Sequence, residues 1–170
     1  IQSTGIGVSS FLIYAHELLD FHGVKTLIRT GTCGGLSAEV PLRGLVISRS
    51  VRAENADSGQ VFGLYAAAGP DPERRAEALG IEHRAGLTIC SDIFYHPQGR
   101  ARYAEAIAMG ALAVDMETSA LYRISAHFGA RALSLLNVVD HVANGEQTDY
   151  SERQELFTDM TRLALEVAVD

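Results

Sequence analysis

Two short stretches of this chain put carboxylates where chemistry is easiest to stage. Asp115 and Glu117 follow the apolar Ala113-Val114, and Asp140 follows the run Ala132 to Val139. Each acid stands where a strand would end, and open α/β sheets bind their ligands beyond the carboxyl ends of their strands. A third stretch, Arg29-Thr30-Gly31-Thr32-Cys33-Gly34-Gly35, brings a cation, hydroxyls and glycines to another strand end. Guanidinium binds phosphate through paired hydrogen bonds, and glycines let backbone N–H groups approach an anion. The combination suits a small molecule that carries both hydroxyls and phosphate.

Each group also has a plainer reading. Arg29 could pair with a nearby carboxylate beside glycines that merely turn the chain. Glu117 could accept hydroxyl hydrogen bonds or simply favour a helix N-terminus. Asp140 could be a general acid, its pKa raised by partial desolvation, or could turn the chain into Ala143-Asn144-Gly145. Phe94 and Tyr95 could stack on a planar base or belong to the core. Arg153 falls in the first turn of the last helix, where a cation opposes the dipole, which invites a functional reading. His16-Glu17 lacks the second His of a zinc motif, because Asp20 stands there, and no nucleophile sits beside a base. Neither a metal site nor covalent catalysis is expected.

The elements that must position these groups follow from periodicity. Phe11, Ala15, Leu18 and Leu19 mark a first helix, with Ser9 or Ser10 as N-cap and Gly23 beyond its end. Strands are expected over 24–28, 45–51, 85–90, 112–114 and 132–139, and helices over 73–79, 101–109 and 118–128. Residues 29–35 read as a turn after the first strand, and 54–71 as a surface excursion. The last helix opens on a Ser151-Glu152-Arg153-Gln154 capping box and carries Leu156, Met160, Leu163 and Val167 on one face. Alternating strands and helices imply an α/β fold with a mostly parallel sheet in layers.

The chain's 170 residues, 47% hydrophobic and 21% charged, fit one domain with a proper core. A net charge of -7 argues against a nucleic-acid surface. Cys33 and Cys90 have no CxxC partner, and with no signal peptide or membrane-length apolar run the expected setting is a reducing cytoplasm. The opening Ile1-Gln2-Ser3-Thr4 reads as the end of a strand already under way, as if an N-terminal portion were lacking.

These pieces, in this order, resemble the nucleoside phosphorylases of the hexameric bacterial purine type, a family that also includes uridine phosphorylases and nucleosidases. The matching text is Gly5-Ile6-Gly7, Ile28 to Gly34, Ser91-Asp92-Ile93-Phe94-Tyr95, Val114 to Glu117, and Val139-Asp140-His141 through Glu146-Gln147-Thr148 to Glu152-Arg153-Gln154. The resemblance covers nearly the whole chain. It implies a three-layer α/β/α fold around a mostly parallel, mixed sheet, and reversible phosphorolysis of purine nucleosides to base and (deoxy)ribose 1-phosphate. It makes Arg29 and Thr32 the phosphate contacts, and Met116 and Glu117 the ribose contacts. Cys33, Gly34, Phe94, Tyr95 and Asp115 would border the base. Asp140 would protonate the leaving purine with Arg153 as its electrostatic partner. No cofactor is implied beyond phosphate as co-substrate, and the assembly would be a homo-oligomer, a trimer of dimers.

By the same resemblance, an acid at Asp140 favours purines over uridine, the path from Tyr95 to Val114 looks too short for the insertion by which uridine phosphorylases read pyrimidines, and Arg29, where nucleosidases typically have Asn, favours phosphate over water. Asp115 stands for the family's usual Glu and Val139 for its usual Ser. The family's N-terminal segment, with a phosphate-binding Gly and Arg and a His and Arg lent to a neighbour, is not in this sequence. Uridine phosphorylase and a truncated nucleoside-binding protein without catalysis are therefore the alternatives.

Overall fold

The structure, a computed structural model, describes residues 1–54, 61–63 by backbone, 71–142, 144–149, 151 and 157–169. In chain order the elements are α1 (Gly7–Asp20), β1 (Thr26–Gly35), β2 (Leu45–Glu54), β3 (Val61–Gly63), α2 (Pro72–Ala78), β4 (His83–Ser91), a 3-10 turn (Gly99–Tyr103), α3 (Ala104–Ala108), β5 (Ala113–Asp115), α4 (Thr118–Phe128), β6 (Arg131–His141) and α5 (Thr158–Ala168). The six strands form one mixed sheet in the order β3-β2-β4-β5-β1-β6. Its long ladders, β1 with β6 and β2 with β4, are parallel, whereas β1–β5, β2–β3 and β2–β6 are short and antiparallel. The β2–β6 pairing joins Leu45–Ile47 to Leu135–Asn137, so the sheet curls until it meets itself.

Period-two alternation distributes the side chains of the curled sheet. Leu133 and Leu135 of β6, with Leu45 and Ile47 of β2, pack outward on α2 and α5. Leu136, Val138 and Val46 point the other way, to join Cys33, Leu112 and Ala113. Ala132, Val51 and Cys90 meet Phe11, Ala15 and Leu19 of α1 and Leu121 and Tyr122 of α4. Helices therefore cover both sides, as the layered reading requires. β6 is buried along nearly its whole length, which is why its sequence is apolar without alternation.

Four local expectations change. Arg29 to Gly35 is strand, not turn, because both β6 and β5 use its backbone. Ser9 and Ser10 lie inside α1, whose first residue is Gly7 and which has no side-chain cap of its own at Ile6. The helix expected over 101–109 divides into the 3-10 turn and α3. Within 54–71, Val61–Gly63 forms an edge strand on β2. The capping box of the last helix, beyond Ser151, and Leu156 of its apolar face lie outside the described residues; Met160, Leu163 and Val167 are buried in α5.

Candidate active site

The centre of the site is a buried trio of charges. Arg29 leans along β1 over Gly31, where a Cβ would stand 2.3 Å from its Nη1. Gly31 therefore makes room for the guanidinium. Its Nη2 donates to Glu117 Oε2, and its Nη1 lies 3.4 Å from Asp115 Oδ2. The Arg29 side chain is only 11% exposed, that of Asp115 0% and that of Glu117 8%. Burial alone would lower the guanidinium's pKa, but Asp115 and Glu117 more than offset this, so its pKa stands above the ordinary value.

The two acids of this trio do different work. Asp115 Oδ2 accepts from the backbone N–H of Glu117 (3.2 Å), the N–H of Thr118 (3.0 Å) and Thr118 Oγ1 (2.6 Å). It is Asp115, therefore, that caps α4. Glu117 caps a different helix: its Oε1 accepts the Gly7 N–H of α1 at 2.5 Å, from 110 residues away. A carboxylate there also meets the positive end of the α1 dipole. Burial pushes the Asp115 carboxyl above its usual range, against the opposing pull of Arg29 and Thr118. From Asp115 a polar chain runs inward, through Thr118 Oγ1 to Ser134 Oγ (2.8 Å). The Ser134 N–H then donates to Tyr122 Oη, which donates to the Ser48 carbonyl at 2.5 Å.

Beside the trio, the ends of β1 and β6 meet. Gly34 pairs with Asp140, and a Cβ on Gly34 would come within 3.0 Å of Asp140 Oδ2. Gly35 leaves space for the buried His141 ring, whose Nε2 lies 3.1 Å from the Ser37 carbonyl. The chain after Asp140 folds straight back. Gly145 N–H and Asn144 N–H reach the His141 carbonyl, and Thr148 binds the Val139 carbonyl through both N–H (2.8 Å) and Oγ1 (3.0 Å). Asp140, half-buried, is bridged to Gln147 across this turn.

The expected base contacts divide. Phe94 (67% exposed) and Tyr95 (90%) stand outside the core and meet edge to face, centroids 4.9 Å apart. The core reading of these aromatics is overturned. The segment that follows them is pinned to β2, by Arg102 on the Glu54 side chain and carbonyl and by Arg52 on Glu105. Cys33 turns its thiol into the core with Val46 and Leu136, so only its backbone remains for a ligand. The Asp115 side chain lies fully covered beneath Arg29. Thr32 is exposed further along β1, and Met116 is half-buried between the two acids. Arg153 lies outside the described residues. Sequence reasoning missed Gly31, Thr118 and the Gly7 N–H; the alternation of Arg29, Gly31 and Cys33 was the one local hint.

Comparison with known proteins places the chain in a family. Residues 1–169 match the family described as the Phosphorylase superfamily. The chain belongs to that superfamily. Relatives named "Purine nucleoside phosphorylase DeoD-type" include one from Geobacillus kaustophilus, 40% identical over 99% of this chain and 74% of the relative. One from Caldanaerobacter subterraneus is 40% identical over 99% and 75%, and one from Myxococcus xanthus 41% over 99% and 73%. Among the described residues of this superfamily member, no helix is long and apolar enough to cross a membrane.

Proposed function

We propose that this enzyme is a purine nucleoside phosphorylase, a pentosyltransferase that cleaves purine (deoxy)ribonucleosides with inorganic phosphate. The observation that carries the reading is the convergence of Arg29, Asp115 and Glu117 beside Asp140, at the ends of β5 and β6. The shared superfamily and the names of relatives about 40% identical support it.

The chemistry follows from where charge develops. As the bond between C1′ and the base nitrogen breaks, its electron pair leaves with the base and the sugar carbon becomes cationic. A phosphate oxygen held at Arg29 and Thr32 attacks C1′, and its negative charge stabilises the cation on approach. Glu117, with Met116 beside it, takes the sugar hydroxyls. Asp140 delivers its proton to the purine ring, so the base departs neutral, and is reprotonated from solvent for the next cycle. Phe94 and Tyr95, exposed and without core partners, offer faces for the base. Arg153 fills the role of electrostatic partner to Asp140. Phosphate is the only co-substrate this scheme needs.

Purine is preferred to uridine because its imidazole ring offers a free nitrogen lone pair to the Asp140 proton, and the uracil ring of uridine has none. The segment between Tyr95 and Val114 also packs down on β4 through Tyr103 and Ala106, with no room spent on an additional loop. Exposed Ile6, Ile13 and Phe21 of the N-terminal region are consistent with assembly into a homo-oligomer, and two buried free thiols with a cytoplasmic setting.

The test is base release from inosine, adenosine and uridine, each with and without phosphate. Phosphate-dependent release from the purine nucleosides is expected. Faster release from uridine would sink the purine assignment.

A further inference from the structure

The groups assigned to sugar and phosphate are, in this structure, each other's partners. Both Glu117 oxygens are engaged: Oε2 by Arg29 Nη2, Oε1 by the Gly7 N–H. Sugar hydroxyls that approach this carboxylate compete with both donors for its lone pairs and its charge. The Gly7 N–H is fixed in the first turn of α1, so the guanidinium is the donor that can go elsewhere.

On the other side, Arg29 Nη2 already donates to Glu117, so a phosphate competes with that carboxylate for the guanidinium. Its Nη1 is buried and has no hydrogen-bond partner among the described residues, only the ion pair with Asp115 at 3.4 Å. Asp115 itself is held by three donors from Glu117 and Thr118 that converge on its Oδ2. Arg29 thus sits between one fixed carboxylate and one exchangeable carboxylate.

We infer that Arg29 and Glu117 exchange partners when the substrates bind, so that phosphate and nucleoside bind with positive cooperativity while Asp115 holds the guanidinium in place. The inference rests on the proposed phosphate and sugar roles of these two residues. Its physical basis is that stranding a buried charge is far costlier than swapping its partner. Nucleoside alone must compete with a buried cation for Glu117. With phosphate bound, Arg29 already has a new anionic partner, and Glu117 is released to the sugar. Linkage makes the effect reciprocal, and the nucleoside must tighten phosphate by the same factor.

The experiment is calorimetric titration with inorganic phosphate and a C-nucleoside, whose carbon-linked base cannot be cleaved. Saturating phosphate is expected to tighten the C-nucleoside by about 5-fold to 150-fold, the usual span of such coupling. The converse titration should return the same factor. Glu117→Gln should bind phosphate alone more tightly than the native enzyme and bring the coupling factor close to one. Independent binding of the two ligands to the native enzyme would overturn the exchange, as would an unaltered phosphate affinity in Glu117→Gln. If independent binding accompanies phosphate-dependent base release, the exchange alone fails and the proposed function stands. If neither phosphate binding nor base release is found, both fall together.

Discussion

The two halves of the candidate site are built in opposite ways. Arg29, Asp115 and Glu117 are almost sealed from solvent and tied to β1, β5, α1 and α4 by protein partners. Phe94 and Tyr95 stand in solvent after β4, touching each other. One half is made of charges whose orientation the fold dictates, the other of aromatic faces that a ligand can cover without displacing a partner. A reaction that keeps its sugar and phosphate constant while the base varies has use for this division.

Substitutions should affect the two halves differently, and the largest effect is expected at the group between them. Asp140→Asn is expected to lower kcat for purine nucleosides by about 10²- to 10⁴-fold, the usual contribution of a positioned general acid, with little change in KM. Steady-state kinetics on inosine decide it, and unaltered turnover would remove Asp140 from the mechanism. Next in size is Arg29→Ala, which strands two buried carboxylates. Chemical denaturation should show a loss of about 3–5 kcal/mol, alongside a raised KM for phosphate. A stable variant with native phosphate dependence would mean that the sealed half is neither electrostatically strained nor a phosphate site.

The sealed half was only partly legible in the sequence. α4 could be read to the residue, because Gly129 takes the left-handed φ of 63° that ends it. β6 announced itself by an apolar run that only a strand covered on both sides can carry. The Arg29 segment was misread because its glycines resemble a turn. Gly31, Gly34 and Gly35 are instead close-approach positions, set by Arg29, Asp140 and His141. Nothing local says so, since two of those three neighbours lie on β6. The α1 cap was hidden for the same reason, its acceptor being Glu117 and not Ser9 or Ser10. Val61–Gly63 was missed because three residues on a sheet edge leave no periodic signal.

Smaller substitutions sharpen the contrast. Thr118→Val removes the hydroxyl that Asp115 and Ser134 share, and should cost about 1–3 kcal/mol in stability. Phe94→Ala should leave stability within about 0.5 kcal/mol of native, as exposed positions do. It should still weaken nucleoside binding by about 1–3 kcal/mol if the ring stacks on the base. Equal destabilisation by the two variants would erase the distinction between the halves.

The smallest effect is one of pH. Burial, with the nearby Asp115 charge, pushes the Cys90 thiol up from 9.0 to about 12. The sign follows from linkage: above pH 9 the unfolded thiol loses its proton while the folded one keeps it. This group's stabilising contribution is full below pH 9 and is lost as pH rises toward 12. At pH 8 both cysteines, buried and held as thiols, should resist alkylation by iodoacetamide until denaturant is added. Prompt modification of the native enzyme would show that the floor of the site opens to solvent.

Phosphorolysis is decided by following inosine and phosphate together and measuring the products. Hypoxanthine is expected to appear only when phosphate is supplied, with one ribose 1-phosphate formed for each base released. Base release at the same rate without phosphate, yielding free ribose, would contradict it.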